Sequence, residues 1–328
     1  VALDGWNGFI VPKSFAYSST WHHLREQLLP ELYELVDCGR VWGAVKLEQL
    51  IYVLKLSQRS SVYHSMVREN ETFASIGEIS KNDCKIFGLY LNGVRKQEVE
   101  IAHKLREPGI YLNELVSNTR GVGIQTVVDE NAFTGYRVIG GRNIQPFHIR
   151  GETGWLLTVE GIGANGFVQP GSILVQNIVA HITRPVDHIK IIGAVIDEGI
   201  SPSLVILDTV NQLINSSTLS SKFLLGLLSS KLINWYVYKF LFGKAIRTMH
   251  FDSPITSRIP VPFKAITSDR QRTLHDSLVE IVTTLENEAA SNSAPIETLQ
   301  AYQILNELVF ALYALSPDQI HVIEAATP

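Results

Sequence analysis

The sequence predicts an α+β protein built from three successive parts: a start that alternates strand and helix, a β-rich middle and a helical end. Apolar residues make up 45% of the 328 residues and charged residues 18%, which is typical of a chain that buries a sizeable core. Short apolar runs between glycine and proline indicate strands, whereas apolar residues three or four positions apart indicate helices. The two patterns dominate different stretches, and their order predicts the order of the parts.

Residues 1–68 form the first predicted part. The run 5–12 lies between glycine and proline, and 49–57 is a second apolar run, so we expect both to be buried strands. Between them, residues 18–36 carry apolar side chains at helical spacing, and Pro30 is expected to end or kink a turn. These elements are too few to close an α/β domain, which favours a chain that starts inside a longer polypeptide.

The β-rich middle follows a connecting segment. Residues 69–110 are mixed and polar, with a helical stretch near 95–105, and are predicted to connect the first part to a module at 111–265. Glycines punctuate the short strands that we expect in this module, at 126–130, 136–141, 154–162, 171–185 and 188–199.

One long buried helix is predicted near the end of this module. Most residues from Phe223 to Phe242 are apolar, Ser220 or Ser221 can cap the helix, and Gly243 can end it. A helix that is apolar on most sides is buried in a large module, so this helix is expected to belong to the core.

Charge separates this region from the end of the chain. Helical spacing at 271–289 and 295–324 predicts a helical C-terminal segment, 266–328. Residues 222–264 contain seven Lys and Arg against one acid, a net charge of +6, whereas residues 265–328 contain nine acids against two Arg, a net charge of −7. One basic segment in a chain of net charge −4 favours a localised anion-binding face, with a merely solvated face as the alternative.

Several classes of protein are excluded by what the sequence lacks. A membrane span over the apolar stretch would place Lys231 near its middle, and inserting a lysine at the centre of a span costs about 2.5–3.5 kcal/mol. No P-loop, HExxH or GxSxG motif occurs, so we predict no catalytic constellation. Cys38 and Cys84 cannot form a disulfide framework and have no zinc-ligand spacing, so we predict no metal site and a cytoplasmic setting.

Four stretches together resemble a known family. They are "GFIVPKSFAYSSTWHHLREQLLPELYELVDCGRVWGAVKLEQLIYVLKLS" (8–57), "YRVIGGRNIQPFHIRG" (136–151), "LLGLLSSKLINWYVYKFLFGKAIRTMHFDSPITSRIPVP" (224–262) and "ILNELVFALYALSPDQIHVIE" (304–324). In this order, the chain resembles the C-terminal part of N6-adenine DNA methyltransferases and restriction–modification enzymes of a type IIG-like kind, including a TaqI-like C-terminal specificity domain.

The resemblance implies a division of labour. Residues 1–68 would be the closing strands and helix of a partial Rossmann-like methyltransferase core, and 111–265 a DNA target recognition domain. The family binds S-adenosylmethionine in a Gly-rich loop and holds adenine with an Asn/Asp-Pro-Pro-Tyr/Phe motif, and neither is present here. The chain is therefore expected to hold no cofactor and to be inactive alone, with double-stranded DNA and a catalytic methyltransferase domain, in cis or in trans, as partners.

The resemblance also implies site residues. Methylation of adenine N6 requires a flipped base, and Trp42 stands where the family places the aromatic side chain that stacks on it; a Trp packed under the hairpin is the alternative. Base-edge contacts suit Arg, Asn and Gln, and phosphate contacts suit basic side chains. The predicted base-reading residues are Arg142, Asn143, Gln176 and Asn177, and the predicted phosphate contacts are Lys244, Arg247 and His250.

The function expected from these observations is sequence-specific recognition of double-stranded DNA for a site-specific adenine-N6 methyltransferase in a restriction–modification or phage-defence system. Two alternatives stay open. In the first, the chain is a subunit that completes a split, active methyltransferase. In the second, it is a protein-interaction scaffold whose basic segment docks the acidic tail of a neighbour.

Overall fold

The computed structural model describes residues 5–42, 44–45, 47–56, 59–196, 203–246, 249–291 and 294–327. The fold is mixed α+β, as predicted. The chain divides into two compact units: the first contains Val1–Lys104 and Tyr236–Arg247, and the second contains Leu105–Trp235 and Thr248–Pro328.

The first unit is built on a five-stranded sheet of order β1-β3-β2-β4-β5. All neighbours are antiparallel except β2 and β4, which run parallel. The strands are β1 (Trp6–Pro12), β2 (Leu32–Gly39), β3 (Gln49–Lys55), β4 (Val62–Glu69) and β5 (Thr72–Ser80); the helices are α1 (His22–Leu28), α2 (Lys81–Phe87) and α3 (Lys96–Arg106). Short 3-10 turns lie at Lys13–Ala16, Ser19–Trp21 and Leu29–Glu31.

Alternation of side chains decides which face of the sheet is covered. On β3, Leu50, Tyr52 and Leu54 are buried, and the residues between them are only partly buried. Strand β1 lies at the edge, and Trp6 and Phe9 are 54% and 50% exposed. The predicted strand at 5–12 is therefore present, but the prediction that it is buried is wrong.

The predicted helix at 18–36 is only partly present. Pro30 lies in the 3-10 turn that follows α1, in agreement with its expected role as a breaker. From Leu32 onward the chain is strand β2, which pairs with β3 on one edge and with β4 on the other, and its Leu35, Val36 and Cys38 are buried. Pairing on both edges outweighs the helical spacing here, because the backbone N–H and C=O groups of a central strand find partners on both sides.

The predicted connector 69–110 is more structured than expected. It contributes β5, which pairs along its length with β4, and α2 and α3. Ser80 accepts a hydrogen bond from the backbone N–H of Asn82 and caps α2, which ends at Gly88 with φ 69°. The first unit extends to Lys104 in this part of the chain, whereas the first predicted part ends at residue 68.

The second unit contains small sheets of order β10-β7-β15, β14-β11-β16-β6, β12-β13 and β8-β9. Their strands are β6 (Val116–Arg120), β7 (Tyr136–Ile139), β8 (Ile144–Gln145), β9 (His148–Ile149), β10 (Gly154–Leu156), β11 (Ile173–Gln176), β12 (Ala180–Ile182), β13 (His188–Lys190), β14 (Gly193–Val195), β15 (Leu204–Ile206) and β16 (Val210–Asn215). Ile139, Leu174 and Val210 belong to one buried cluster. The predicted strand at 126–130 is instead a 3-10 turn, Gln125–Val127, followed by an isolated bridge at Asp129.

The apolar stretch is buried as predicted, but it is not one continuous helix. Helix α4 (Ser221–Ser229) ends at Ser230, α5 (Lys231–Tyr236) follows, and a π-helical turn covers Val237–Leu241. The Ser230 hydroxyl accepts a hydrogen bond from the Ile233 N–H at 3.2 Å and thereby caps the second helix. The Asn234 amide donates to the Ser230 carbonyl, so buried polar side chains stabilise the break.

The helical end is present as predicted, with one interruption. The remaining helices are α6 (Ser253–Thr256), α7 (Asp269–Ser291), α8 (Gln300–Leu312) and α9 (Pro317–Ala326); 3-10 turns lie at Leu112–Glu114, Gly141–Asn143, Ala164–Gly166 and Ile296–Thr298. Ser316 and Gln319 form a capping box, which starts α9 separately from α8 within the predicted helix 295–324. Within the described parts of the chain, no helix is long and apolar enough to cross a membrane.

Candidate nucleic-acid interface

Trp42 lies between β2 and β3, in a segment that we call the Trp42 loop (the described residues 40–42, 44–45 and 47–48). Its side chain is 48% exposed, and its carbonyl accepts a hydrogen bond from the Val45 N–H at 3.1 Å. A side chain that stacks on an extrahelical base must offer an open ring face, and half of this indole is open. The stacking role itself stays a prediction.

A buried ammonium group lies behind this loop. Lys13 Nζ donates to Asp37 Oδ2 at 2.8 Å, to Glu48 Oε1 at 3.0 Å and to the Lys244 carbonyl at 2.8 Å. The three side chains of this cluster are only 6–9% exposed. Because an ammonium has three N–H donors, these three acceptors satisfy it completely.

The two carboxylates of this cluster use their second oxygens as well. Glu48 Oε2 accepts from the Ile246 N–H at 2.7 Å, and Asp37 Oδ1 accepts from the Gly39 N–H at 3.1 Å. Burial lowers the pKa of Lys13, but the carboxylates of Asp37 and Glu48 outweigh burial, and the pKa is raised above 10.5. The ammonium therefore stays charged.

Lys244 belongs to a short segment that we call the basic tip (residues 244–246). Its backbone is left-handed, with φ 59°, and its Nζ would lie 2.8 Å from a Cβ placed on Gly93. Burial, the largest effect, lowers the pKa of Lys244 below 10.5, and the Asp37 carboxylate opposes this. An ammonium disfavoured by burial gains from a nearby phosphate. Arg247, the next predicted phosphate contact, lies outside the described residues.

In the second unit, Arg142 stands on the 3-10 turn after β7. Its side chain is 64% exposed, and its Nη2 lies 3.8 Å from Glu130 Oε1 and 3.5 Å from the Thr153 carbonyl. Both contacts are long, so they restrain the guanidinium weakly. Arg142 therefore presents most of its donors to solvent.

Asn143 and Gln176 hold this turn in place. Asn143 is buried, and its Oδ1 accepts from the Gly140 N–H at 2.9 Å and from Thr153 Oγ1 at 2.8 Å. Gln176 donates from Nε2 to the Ile144 carbonyl at 2.8 Å. The structure thus brings three of the predicted base-reading residues together, but it gives Asn143 and Gln176 internal partners that a base edge would have to replace.

Asn177 lies at the centre of a buried polar network. Asn177 is 1% exposed. Its Nδ2 donates hydrogen bonds to Asn211 Oδ1 at 2.6 Å and to Asp252 Oδ1 at 2.9 Å. The Asp252 carboxylate only accepts hydrogen bonds, which fixes the amide orientation and turns Asn177 Oδ1 toward His250 Nδ1, 2.6 Å away. His250 therefore carries a proton on Nδ1, and its phosphate role stays a prediction.

Sequence reasoning missed the buried cluster of Lys13, Asp37 and Glu48. A signal was present, because Lys13 directly follows the apolar run 5–12 and Glu48 directly precedes the run 49–57. Charged residues at strand ends are usually solvated, so this signal alone could not identify a buried cluster. No group of His, Cys, Asp and Glu suited to a metal ion occurs among the residues for which the structure gives a placement.

No protein-family model and no curated protein matches this chain. Among solved structures, it is similar to the type IIL restriction-modification enzyme MmeI in complex with DNA, with a TM-score of 0.62 and 13% identity, over 99% of this chain and 49% of that chain. Similarity also extends to the type IIG restriction endonuclease BpuSI (TM-score 0.37, 10% identity, 95% and 48% coverage) and to the HsdS subunit from Thermoanaerobacter tengcongensis (TM-score 0.32, 14% identity, 71% and 52% coverage). The MmeI likeness shows the fold, and this chain spans about half the length of that enzyme.

Proposed function

We propose that this chain recognises double-stranded DNA sequence-specifically, as the specificity part of a restriction–modification or phage-defence enzyme. The observation that carries the proposal is the fold shared with MmeI over 99% of the chain, since the MmeI structure is a complex with DNA. The basic segment 222–264, with net charge +6, supplies the attraction to phosphate that such a role needs.

Arg142 is the residue that we assign to base reading. An exposed guanidinium on a rigid turn can donate two parallel hydrogen bonds to guanine in the major groove. The internal bonds of Asn143 and Gln176 keep the turn in one conformation, which favours a fixed direction for Arg142. Such a contact discriminates against other bases by about 1–3 kcal/mol.

The finer proposal concerns the reaction. We assign the first unit to the edge of a Rossmann-like methyltransferase sheet and the second to a TaqI-like target recognition domain of an adenine-N6 methyltransferase. S-adenosylmethionine would then bind to a catalytic domain, in cis or in trans, and Trp42 would stack on the flipped adenine. The half-exposed indole on a hairpin loop supports this assignment.

A salt titration tests DNA binding. Wild type should bind duplex DNA with an affinity that falls steeply with salt, and changing Lys244 and Arg247 together to Ala should reduce the slope by about 2. The matched control changes Arg270 and Arg272, exposed residues outside the basic segment, to Ala. If both double variants lose the same slope, Lys244 and Arg247 are not the phosphate contacts. Absence of duplex binding would leave the scaffold alternative.

A selection over randomised duplexes tests base reading. Arg142→Ala should relax the preference at one position and leave the other positions unchanged. Arg137→Ala is the control, because that guanidinium is held by Glu152 and the Gly151 carbonyl at 3.1 and 2.9 Å. A uniform loss of affinity across sequences in Arg142→Ala would make Arg142 a phosphate contact.

A further inference from the structure

We propose that Lys13, Asp37 and Glu48 are positioning residues that couple the Trp42 loop to the basic tip, so that phosphate contact at the tip and base stacking at the loop occur together. The inference rests on the proposed function for its biological meaning. Its structural part, the coupling of two segments, stands on hydrogen bonds within the first unit.

The Lys13 ammonium makes the first connection between the two segments. Its three donors are used by one acceptor before the Trp42 loop, one at its end and one in the tip: Asp37, Glu48 and the Lys244 carbonyl. A fully used ammonium has no spare donor for water. Moving any one segment therefore breaks a bond that nothing else replaces.

Glu48 provides a second, independent connection. One oxygen accepts from Lys13, and the other accepts from the backbone N–H of Ile246 at 2.7 Å. Two backbone groups of the basic tip are thus hydrogen-bonded to this cluster, the carbonyl of Lys244 and the N–H of Ile246. Both hydrogen bonds connect the basic tip to Glu48, the last residue of the Trp42 loop: that of Ile246 directly, and that of Lys244 through Lys13.

Stability alone is a poor explanation for a buried charged cluster of this kind. Taking charges out of water is costly, and apolar replacements of buried ion pairs are often neutral or stabilising. The tip is also held in a left-handed backbone at Lys244, a non-glycine residue, which persists only where surrounding bonds determine it. A cluster that fixes the geometry of the Trp42 loop and of the basic tip accounts for both features.

The discriminating variant is Glu48→Gln. Lys13 faces one oxygen of Glu48 and the Ile246 N–H faces the other, so a glutamine in the same conformation presents its oxygen to one donor and its NH₂ group to the other. Glu98→Gln is the matched control, because Glu98 is equally buried in the same unit, bonds Lys239 and the Arg95 N–H, and makes neither connection to the Trp42 loop. Both changes remove one buried negative charge and preserve side-chain volume.

Two measurements without DNA test the coupling itself. In Glu48→Gln, hydrogen exchange should speed up at the Ile246 amide and across the Trp42 loop together. The fluorescence of Trp42 is obtained by subtracting the signal of the same protein carrying Trp42→Phe, and its quenching by acrylamide should increase in Glu48→Gln. Glu98→Gln should change neither. If the tip exchanges faster while the loop and Trp42 are unchanged, the two segments are not coupled and the proposal is overturned.

A double-mutant cycle with DNA then tests the functional part. Trp42→Ala should weaken binding about 5- to 150-fold in wild type, the range for loss of one stacked base, and less than about 2-fold in Glu48→Gln. An undiminished effect of Trp42→Ala in Glu48→Gln contradicts coupled binding. If wild type binds no DNA, the proposed function fails, while the exchange and quenching results still decide the coupling.

A second variant guards against unfolding. The triple change Lys13→Met, Asp37→Asn and Glu48→Gln removes every charge of the cluster, so none of its three members is left as a buried ion without its partner. It should keep the fold and lose the coupling, as Glu48→Gln does. Retention of wild-type exchange and quenching in the folded triple variant would also overturn the proposal.

Discussion

Replacing Trp42 by alanine separates base stacking from core packing. A fully enclosed tryptophan buries about 150–250 Å². Trp42 is 48% exposed, so roughly half of that area leaves water on folding, which is worth about 2–3 kcal/mol at about 25 cal/mol/Å². Taking a fully extended chain as the unfolded state overstates the buried area by roughly 10–40%. We therefore expect Trp42→Ala to lower the free energy of unfolding by about 1–3 kcal/mol.

Trp235 provides the contrast within the same chain. It is fully buried, and a buried Trp→Ala change costs about 3–5 kcal/mol, since a cavity is left behind. Chemical denaturation of the two variants side by side measures the difference. Equal losses of stability would refute the surface position of Trp42 and favour a Trp packed under the hairpin.

The functional readout uses a 2-aminopurine at the target base of a duplex recovered by the selection. Stacking on the indole quenches its fluorescence, so wild type should brighten the probe less than Trp42→Ala does. Trp42→Phe should behave like wild type, because either ring offers a stacking face. Identical probe fluorescence in all three proteins would show that Trp42 does not touch the base.

Three further outcomes are expected. The purified chain should transfer no methyl group from labelled S-adenosylmethionine to DNA, because neither the cofactor loop nor the Asn-Pro-Pro-Tyr-type motif is in the sequence; transfer would favour an active enzyme. Burial lowers the pKa of Lys244 below 10.5, so its ammonium loses its charge, and the affinity for DNA should fall, as the pH rises through that lowered pKa. Lys244→Met should bind DNA more weakly and lose this pH dependence. A wild-type affinity that stays constant up to pH 10.5 would contradict the phosphate contact of Lys244. Asn177→Ala should lower stability by about 1–3 kcal/mol in denaturation, since Asn211 and Asp252 lose a partner, and leave sequence preference unchanged; a changed preference would support base reading by Asn177.

Local sequence patterns determined several elements correctly. The strands near 5–12 and 49–57 and the helices near 95–105 and 271–289 are present with small shifts at their ends. Gly243 ends the apolar stretch with φ 56°, as a left-handed glycine stop does. These features depend on spacing and on single residues, so neighbouring positions suffice to predict them.

Tertiary pairing decided the elements where two local patterns compete. The run after Pro30 fits a helix by spacing, and it becomes β2 because β3 and β4 pair on either side of it. The apolar stretch breaks at Ser230, where the Ser230 hydroxyl bonds the Ile233 N–H and the Asn234 side-chain amide bonds the Leu228 carbonyl, two backbone groups that a continuous helix would have used itself. Such outcomes depend on partners that are distant in sequence.

The candidate site divides in the same way. Sequence composition alone determined that the basic charge is concentrated in 222–264, and residue type alone made Arg142 a base-reading candidate. Only the tertiary structure decided that Asn177 is committed to buried partners and that Lys13 joins Asp37, Glu48 and the basic tip. The physical reason is that burial and hydrogen-bond partners arise from contacts between segments up to 231 residues apart, which no local pattern contains.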